Sequence, residues 1–311
     1  MEINKITKLF VTISIFVIPF VFLGCSQEKT IKKSKPRVAL STFVLYDIAN
    51  HIAQDKVELV RIIPAGVGIH SFEPTPQTIA NIETSDLVLY NGAGLEPWLD
   101  SFTFKNRAVG VGNYIRLQHL AEIEHVHDDH GACSHSQFDP HIWFDIDSMK
   151  QITQIIAYEL IALDPKNKTS YLDNRDRYID MLNRLDLLYK NKLQSCSLNT
   201  IITNHNAFSY LSSKYGFKIK TLSGLSPEAE VSPKDVIRIM KDIQTNNIDV
   251  VFFEDFGSDK AMKSLAKQVS VKVDSLHPLG NITKDDIEKK YTYEDIMLKN
   301  LEKISGALHC Q

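Results

Sequence analysis

Pro165–Ser195, PKNKTSYLDNRDRYIDMLNRLDLLYKNKLQS, contains no glycine, and its only proline stands first. Tyr171, Leu172, Tyr178, Ile179, Leu182, Leu185 and Leu188 recur at three- and four-residue steps, the spacing of one buried helix face. Helical throughout, the stretch would be roughly 46 Å long at about 1.5 Å per residue. On both sides of it, apolar β-rich runs alternate with helix-period segments, the pattern of βα units and parallel sheets. The first half reads as strand Arg37–Ser41, helix Phe43–Ala53, strand Val57–Ile63, helix Pro76–Glu83, strand Leu87–Asn91, helix Pro97–Phe104 and a short strand near Ala108–Val111. The second reads as strand Thr200–Thr203, helix Ala207–Tyr215, strand Lys218–Thr221, helix Pro233–Thr245, strand Val250–Glu254, helix Lys260–Val269, strand Val271–Asp274 and helix Tyr293–Leu308. The fold class is therefore α/β: two lobes, each a mainly parallel sheet with flanking helices, bridged by one long rigid α-helix.

Outside this frame the N-terminus carries a targeting signal. Lys5 and Lys8 precede an apolar run, Leu9–Leu23, broken only by Thr12, Ser14 and Pro19. Gly24 directly before Cys25 resembles a bacterial lipoprotein cleavage box, with Cys25 as the lipidated first residue. An uncleaved anchor and a plain signal peptide are the alternatives. The expected organisation is a signal peptide over 1–24, a polar tether over 25–36, a first lobe over 37–164, the linking helix over 165–195 and a second lobe over 196–311. Apolar content of 43% and charged content of 23% are those of a globular protein. A net charge of −3 and the lack of a basic patch give no case for nucleic acid. Beyond Cys25, the cysteines are Cys133, Cys196 and Cys310, an odd number. A Cys196–Cys310 bridge suits an oxidising compartment, and free buried thiols suit the pattern equally.

The chemistry lies in four histidines: His70, His141, His205 and His277. Each follows a strand-like run or opens a turn into a helix, and 277 − 70 = 207 positions separate first from last. Neutral imidazole is the commonest ligand for zinc and related divalent ions, and four ligands complete a tetrahedral shell. Any one of them alone reads more simply as a surface or hydrogen-bonded core residue; four at matching points of a two-lobed frame read as ligands. A second group, His119, His125, His127, His130 and His135 with Asp128, Asp129 and Cys133, lies in a polar, aperiodic loop over 119–138. Such tracts collect metal loosely, and a plain solvated loop is the competing reading. Glu254 and Asp255 end a strand, and Glu228 and Glu230 lie in a loop. Acid–base catalysis is one use for them; orienting a ligating imidazole, for Glu254 and Glu230, is another. A catalytic zinc keeps an open position for water, and no His-Glu-x-x-His helix occurs.

Five motifs carry a resemblance: His70-Ser71-Phe72-Glu73-Pro74-Thr75-Pro76, Asn91-Gly92-Ala93-Gly94-Leu95-Glu96-Pro97-Trp98-Leu99, Asp139-Pro140-His141-Ile142-Trp143, Ser226-Pro227-Glu228-Ala229-Glu230-Val231-Ser232-Pro233 and Phe253-Glu254. Together they make the chain similar, along its whole mature length, to the metal-specific substrate-binding lipoproteins that serve ABC importers for zinc and manganese. The resemblance implies two Rossmann-like lobes, with His70, His141 and His205 as the first three metal ligands. Histidine in the third place resembles the zinc branch. The fourth place, ordinarily the aspartate of an Asp-Pro-Leu-Gly turn, is here His277-Pro278-Leu279-Gly280. Either His277 ligates as an imidazole, or the protein supplies three ligands and water the fourth. Four imidazoles would favour zinc, copper or nickel over manganese. The implied function is an exported, lipid-anchored, monomeric receptor, not an enzyme, that hands zinc to a membrane permease. The alternatives are a manganese or other divalent-metal receptor, an exported zinc hydrolase and a metal-stabilised adhesin.

Overall fold

The computed structural model describes residues 35–119, 138–225, 231–254 and 260–311. The leader, Cys25, Cys133, His125, His127, His130, His135, Glu228, Glu230 and Asp255 lie outside the described residues. No helix among the described residues is long and apolar enough to cross a membrane.

The first lobe is a four-stranded sheet in the order β2-β1-β3-β4, built from β1 (Arg37–Leu40), β2 (Glu58–Arg61), β3 (Leu87–Tyr90) and β4 (Arg107–Gly110). Every pairing is parallel. Helix α1 (Phe43–Ala53) starts at an N-cap Thr42 that accepts from the Leu45 N–H, and α2 (Pro76–Glu83) starts at Thr75 with proline in its first turn. Because the connections from β1 run outward in both directions, the crevice at the carboxyl ends of β1 and β3 is a topological switch point, where open α/β sheets receive ligands.

The second lobe has two parallel pairs, β5 (Thr200–Thr203) with β6 (Lys218–Thr221) and β7 (Val250–Glu254) with β8 (Lys272–Leu276). Strand β5 lies beside β7. Between the lobes run α3 (Ile146–Leu163) and α4 (Lys168–Leu193), and the second lobe carries α5 (Ser209–Tyr215), α6 (Pro233–Thr245), α7 (Lys260–Val269), α8 (Lys284–Glu288) and α9 (Tyr293–Ala307).

The expected helix over 165–195 is α4, preceded by a 3-10 turn at Pro165–Asn167. At 26 residues it is about 39 Å long. Its buried face, Tyr171, Asn174, Tyr178, Leu182, Leu185, Tyr189 and Leu193, packs on α1 and α3 from one side of the sequence and on α9 from the other. Three polar groups fix the register: Asn174 donates to Ile52 O (2.9 Å), Tyr178 to Asp47 Oδ2 (2.8 Å) and Tyr189 to Met297 O (2.7 Å). One continuous core therefore runs from Val38 to Leu308, while a smaller one under α6 and α7 joins Ile202, Ile239, Ile243, Val251 and Leu265.

Two features depart from the sequence reading, and one alternative it left open is decided. Only the first part of Pro97–Phe104 is helical: a 3-10 helix runs from Pro97 to Ser101, and Phe102 is extended. Phe102 and Phe104 instead pack on each other, Phe102 against Trp98 and Phe104 against Tyr90, which rewards an extended chain with aromatic burial. The 18-residue α3, capped by Asp145 and burying Met149, Ile152, Ile156 and Leu160, had no counterpart in the sequence reading, nor did α8. Cys196 and Cys310 form a disulfide, so the thiol alternative falls; the bond ties the end of α4 to the end of the chain.

Candidate metal centre

The candidate residues stand at carboxyl ends of strands. His205 follows β5 by two residues, Glu254 ends β7, His277 follows β8, and Asn91 follows β3. His70 lies in the β2–α2 connection, and His141 precedes the short 3-10 turn Ile142–Phe144 that leads into α3.

The fold brings three of the four histidines together. One ring nitrogen from each of His70, His141 and His205 lies within 4.8 Å of the others. The ring centroids are 5.2, 5.6 and 5.4 Å apart. His141 and His205 are buried. The His70 and His141 Nε2 atoms face each other at 3.3 Å.

Carboxylates stand behind two of the rings. Asp139 Oδ1 accepts from the His141 Nδ1 (2.7 Å) and from the His141 backbone N–H (2.9 Å). Glu254 Oε2 contacts His205 Nδ1. A carboxylate that accepts from Nδ1 puts the ring proton there and leaves the Nε2 lone pair facing inward, while raising its basicity. Asp139 is itself gripped from the second lobe, where Ser209 Oγ donates to its Oδ2 and Tyr210 OH to its backbone carbonyl (2.9 Å).

The Asn91–Trp98 motif serves this arrangement from below. Gly92, Ala93 and Gly94 all have positive φ (73°, 56° and 80°). The left-handed turn aims the Asn91 and Gly92 N–H groups at the buried Glu96 carboxylate, at 2.8 and 2.9 Å, joined by Ser41 Oγ at 2.6 Å. Burial pushes the Glu96 pKa up to about 7, against the pull of those donors. Asn91 Nδ2 then donates to Pro140 O (3.0 Å) and so holds the turn that carries His141.

The residues present fit a zinc ion. Two nitrogens bound to one tetrahedral zinc at about 2.0–2.1 Å stand about 3.3 Å apart, the spacing of the facing His70 and His141 Nε2 atoms. His205 Nε2 is buried with no hydrogen-bond partner among the described residues, and its place in the three-histidine group leaves that nitrogen available to a cation. Burial, and then the neighbouring His141 and His205, lower the His70 pKa well below the ordinary histidine value. His70 therefore stays neutral, the form that binds metal.

The chain matches the family model for the ZnuA zinc-uptake complex component A, periplasmic, over residues 38–307. The chain belongs to the ZnuA family. It is 32% identical over 312 residues to the high-affinity zinc uptake system protein ZnuA of Bacillus subtilis, covering 94% of this chain and 97% of that one. It is 29% identical over 286 residues to the zinc-binding lipoprotein AdcA of Streptococcus pneumoniae, covering 90% of this chain but only 57% of that longer relative. Among solved structures it resembles a Zn(II)-bound mutant variant of AdcAII from S. pneumoniae (TM-score 0.77, 27% identity, 88% of this chain and 99% of that one). It resembles equally the laminin-binding protein of Streptococcus agalactiae, described as having adhesin and metal-transporting activity (TM-score 0.78, 28% identity, 88% and 100%).

His277, the fourth candidate ligand, does not join the three-histidine group. It is buried after β8, with its Nε2 3.4 Å from Asp286 Oδ2. His119 pairs with Phe138 in an isolated antiparallel bridge and is likewise outside the group. Three contributors were not picked out as supports in the sequence: Asp139, Asn91 and Glu96. Asp139 carried a usable signal, since a carboxylate two residues before a ligand histidine can reach back to its Nδ1.

Proposed function

We propose that this protein captures one zinc ion per chain outside the cytoplasm and delivers it to the membrane permease of an ABC importer, without catalysing a reaction. The observation that carries the reading is the convergence of His70, His141 and His205, with carboxylates on the outer nitrogens of two of the rings. Membership of a zinc-uptake family and the names of its relatives support it. His70 and His141 come from the first lobe and His205 from the second, so one ion would bridge the two. Nitrogen ligands with no carboxylate in the cluster favour zinc over manganese, which prefers oxygen. Lipidation at Cys25, a monomeric state and lobe boundaries at 165 and 195 complete the proposal; the residue before that cysteine, the lipoprotein name of the pneumococcal relative and the course of α4 support them.

Competition with a chromophoric chelator tests the proposal. The expected result is a single tight zinc site with manganese bound much more weakly, and loss of the tight site in His70→Ala, His141→Ala or His205→Ala. A parent-like affinity in all three variants would overturn it. Tight binding should also raise the unfolding temperature, because ligand bound only to the native state stabilises it by mass action.

A further inference from the structure

His277 has hydrogen-bond partners of the opposite kind to those of the clustered histidines. In His141 and His205 the Nδ1 atom faces a carboxylate oxygen, which can only accept. In His277 the Nδ1 atom faces the backbone N–H of Leu279 at 3.0 Å. A backbone amide can only donate, so the Nδ1 of His277 is the acceptor and a neutral ring must carry its proton on Nε2. The Asp286 carboxylate stands beside that nitrogen, its Oδ2 3.4 Å from Nε2, an ion-pair distance.

The backbone fixes this arrangement. Asn300 holds the His277 peptide on both sides, accepting from its N–H (3.0 Å) and donating to its carbonyl (2.8 Å). Leu279 takes a left-handed conformation, φ 62°, which a residue with a branched side chain adopts only under constraint. The constraint is visible next door, where the Trp143 indole donates to Pro278 O (2.8 Å) and the Gly280 carbonyl accepts from the Phe43 N–H (3.1 Å). Turning the Nε2 lone pair to a metal would move the ring proton to Nδ1, against the buried Leu279 N–H, and leave that amide without its acceptor. Asp286 is held just as firmly: its Oδ2 also accepts from the Thr283 N–H (3.0 Å) and hydroxyl (2.5 Å), closing the capping box of α8. Burial raises its pKa, but the hydrogen bonds from His277 and Thr283 prevail and bring it down to about 2. It is therefore a permanent carboxylate.

We propose that His277 is held as the Nε2–H tautomer by the Leu279 amide at its Nδ1, and that Asp286, whose carboxylate stands beside its Nε2, is the positioning residue that keeps this ring from serving as a fourth metal ligand. The inference rests on the zinc reading of the three-histidine cluster. The protein then offers the ion three neutral imidazoles and leaves the fourth position to water or a small anion, with no carboxylate to recruit a harder cation.

Long-range proton–nitrogen NMR of the 15N-histidine-labelled protein tests this directly, because it reports which ring nitrogen bears the proton. In the metal-free protein His277 is expected as the Nε2–H tautomer. Equimolar zinc is expected to move the Nε2 resonances of His70, His141 and His205 to metal-bound positions and to leave His277 in place. An Nδ1–H tautomer in the metal-free protein, or a zinc-induced move of the His277 Nε2, would overturn the proposal. Asp286→Asn keeps an oxygen for the Thr283 cap but removes the charge, and should lose the His277 Nε2–H signal to solvent exchange. An unchanged signal in that variant would overturn the part assigned to Asp286. If zinc moves none of the three clustered rings, the zinc reading of the cluster fails, while the metal-free tautomer still decides the role of His277.

Discussion

Asp139 and Glu254 stand behind two rings of the three-histidine cluster without belonging to it, and under the proposed function they would tune its hold on zinc. Each occupies the outer nitrogen of a buried imidazole, and loss of such a partner typically costs about 10–100-fold in metal affinity. Asp139→Asn and Glu254→Gln should each weaken zinc binding by about that factor while leaving the fold intact; chelator competition on the two variants measures it. Two other residues set how stability responds to pH. The side-chain bond to Asp47 raises the His51 pKa to about 9 against the effect of burial, so its contribution is complete below the unfolded value of about 6.5 and is lost as pH rises through 9. Glu96, raised to about 7 by burial, acts in the same direction over a lower window: its contribution is complete below its ordinary value near 4.5 and is lost as pH rises through 7. Denaturation midpoints should therefore fall between pH 5 and 9. Glu96→Gln should flatten the lower part of that slope and His51→Gln the upper part. A parent-like slope in either variant would remove that residue from the explanation.

Among the elements, the turn from His277 to Thr283 joins the lobes most directly. It leaves β8 in the second lobe, yet Asn281 Nδ2 donates to Pro64 O (2.7 Å) and Val67 O (2.8 Å), and Ile282 O accepts from the Gly66 N–H (2.9 Å), all in the first lobe. Gly280 sits where a Cβ would run into Ile69 and press on Trp143. Gly280→Ala should destabilise by about 1–3 kcal/mol, the usual cost of overpacking. Adding Ile69→Val should recover part of that loss if the clash is the cause; a double-mutant cycle on urea denaturation checks the coupling. The sequence showed this turn only as a departure from a family motif. Its role as a clamp depends on partners more than 200 positions away in the chain, which no local pattern carries. By contrast, α1, α2, β5, β6, α6, β7 and α7 begin and end where their periodicity and caps placed them, because those signals are local. Pro97–Phe104 shows the limit: helix-compatible residues were drawn into an extended aromatic cluster by contacts with Tyr90 and Trp98.

Across the whole molecule, the Cys196–Cys310 disulfide closes a loop of 114 residues that contains every strand of the second lobe. Disulfides typically stabilise by about 2–4 kcal/mol, and long loops lie at or above the upper end of that range. Reduction, or Cys196→Ser with Cys310→Ser, should lower the urea midpoint accordingly and leave the zinc cluster formed, since Asp139 and Glu254 hold two of its rings without help from the bond. An unchanged midpoint would show that the folded second lobe is held by its core alone. That core is divided, with α4 and α9 sharing the main cluster with the first lobe and α6 and α7 covering a smaller one.

The sequence by itself determined the α/β class, the long connecting helix, the strand ends where ligands gather, and four histidines suited to zinc, of which it could not say that only three would meet. These follow from residue type and spacing, properties a chain carries before it folds. Only the tertiary structure decided which histidines meet, that Asp139 and Glu254 stand behind two of them, that Cys196 reaches Cys310, and that His277 turns to Asp286 and not to the cluster. The tautomer of an imidazole depends on whether its neighbour donates or accepts, and that neighbour is chosen by packing between lobes and not by position along the chain.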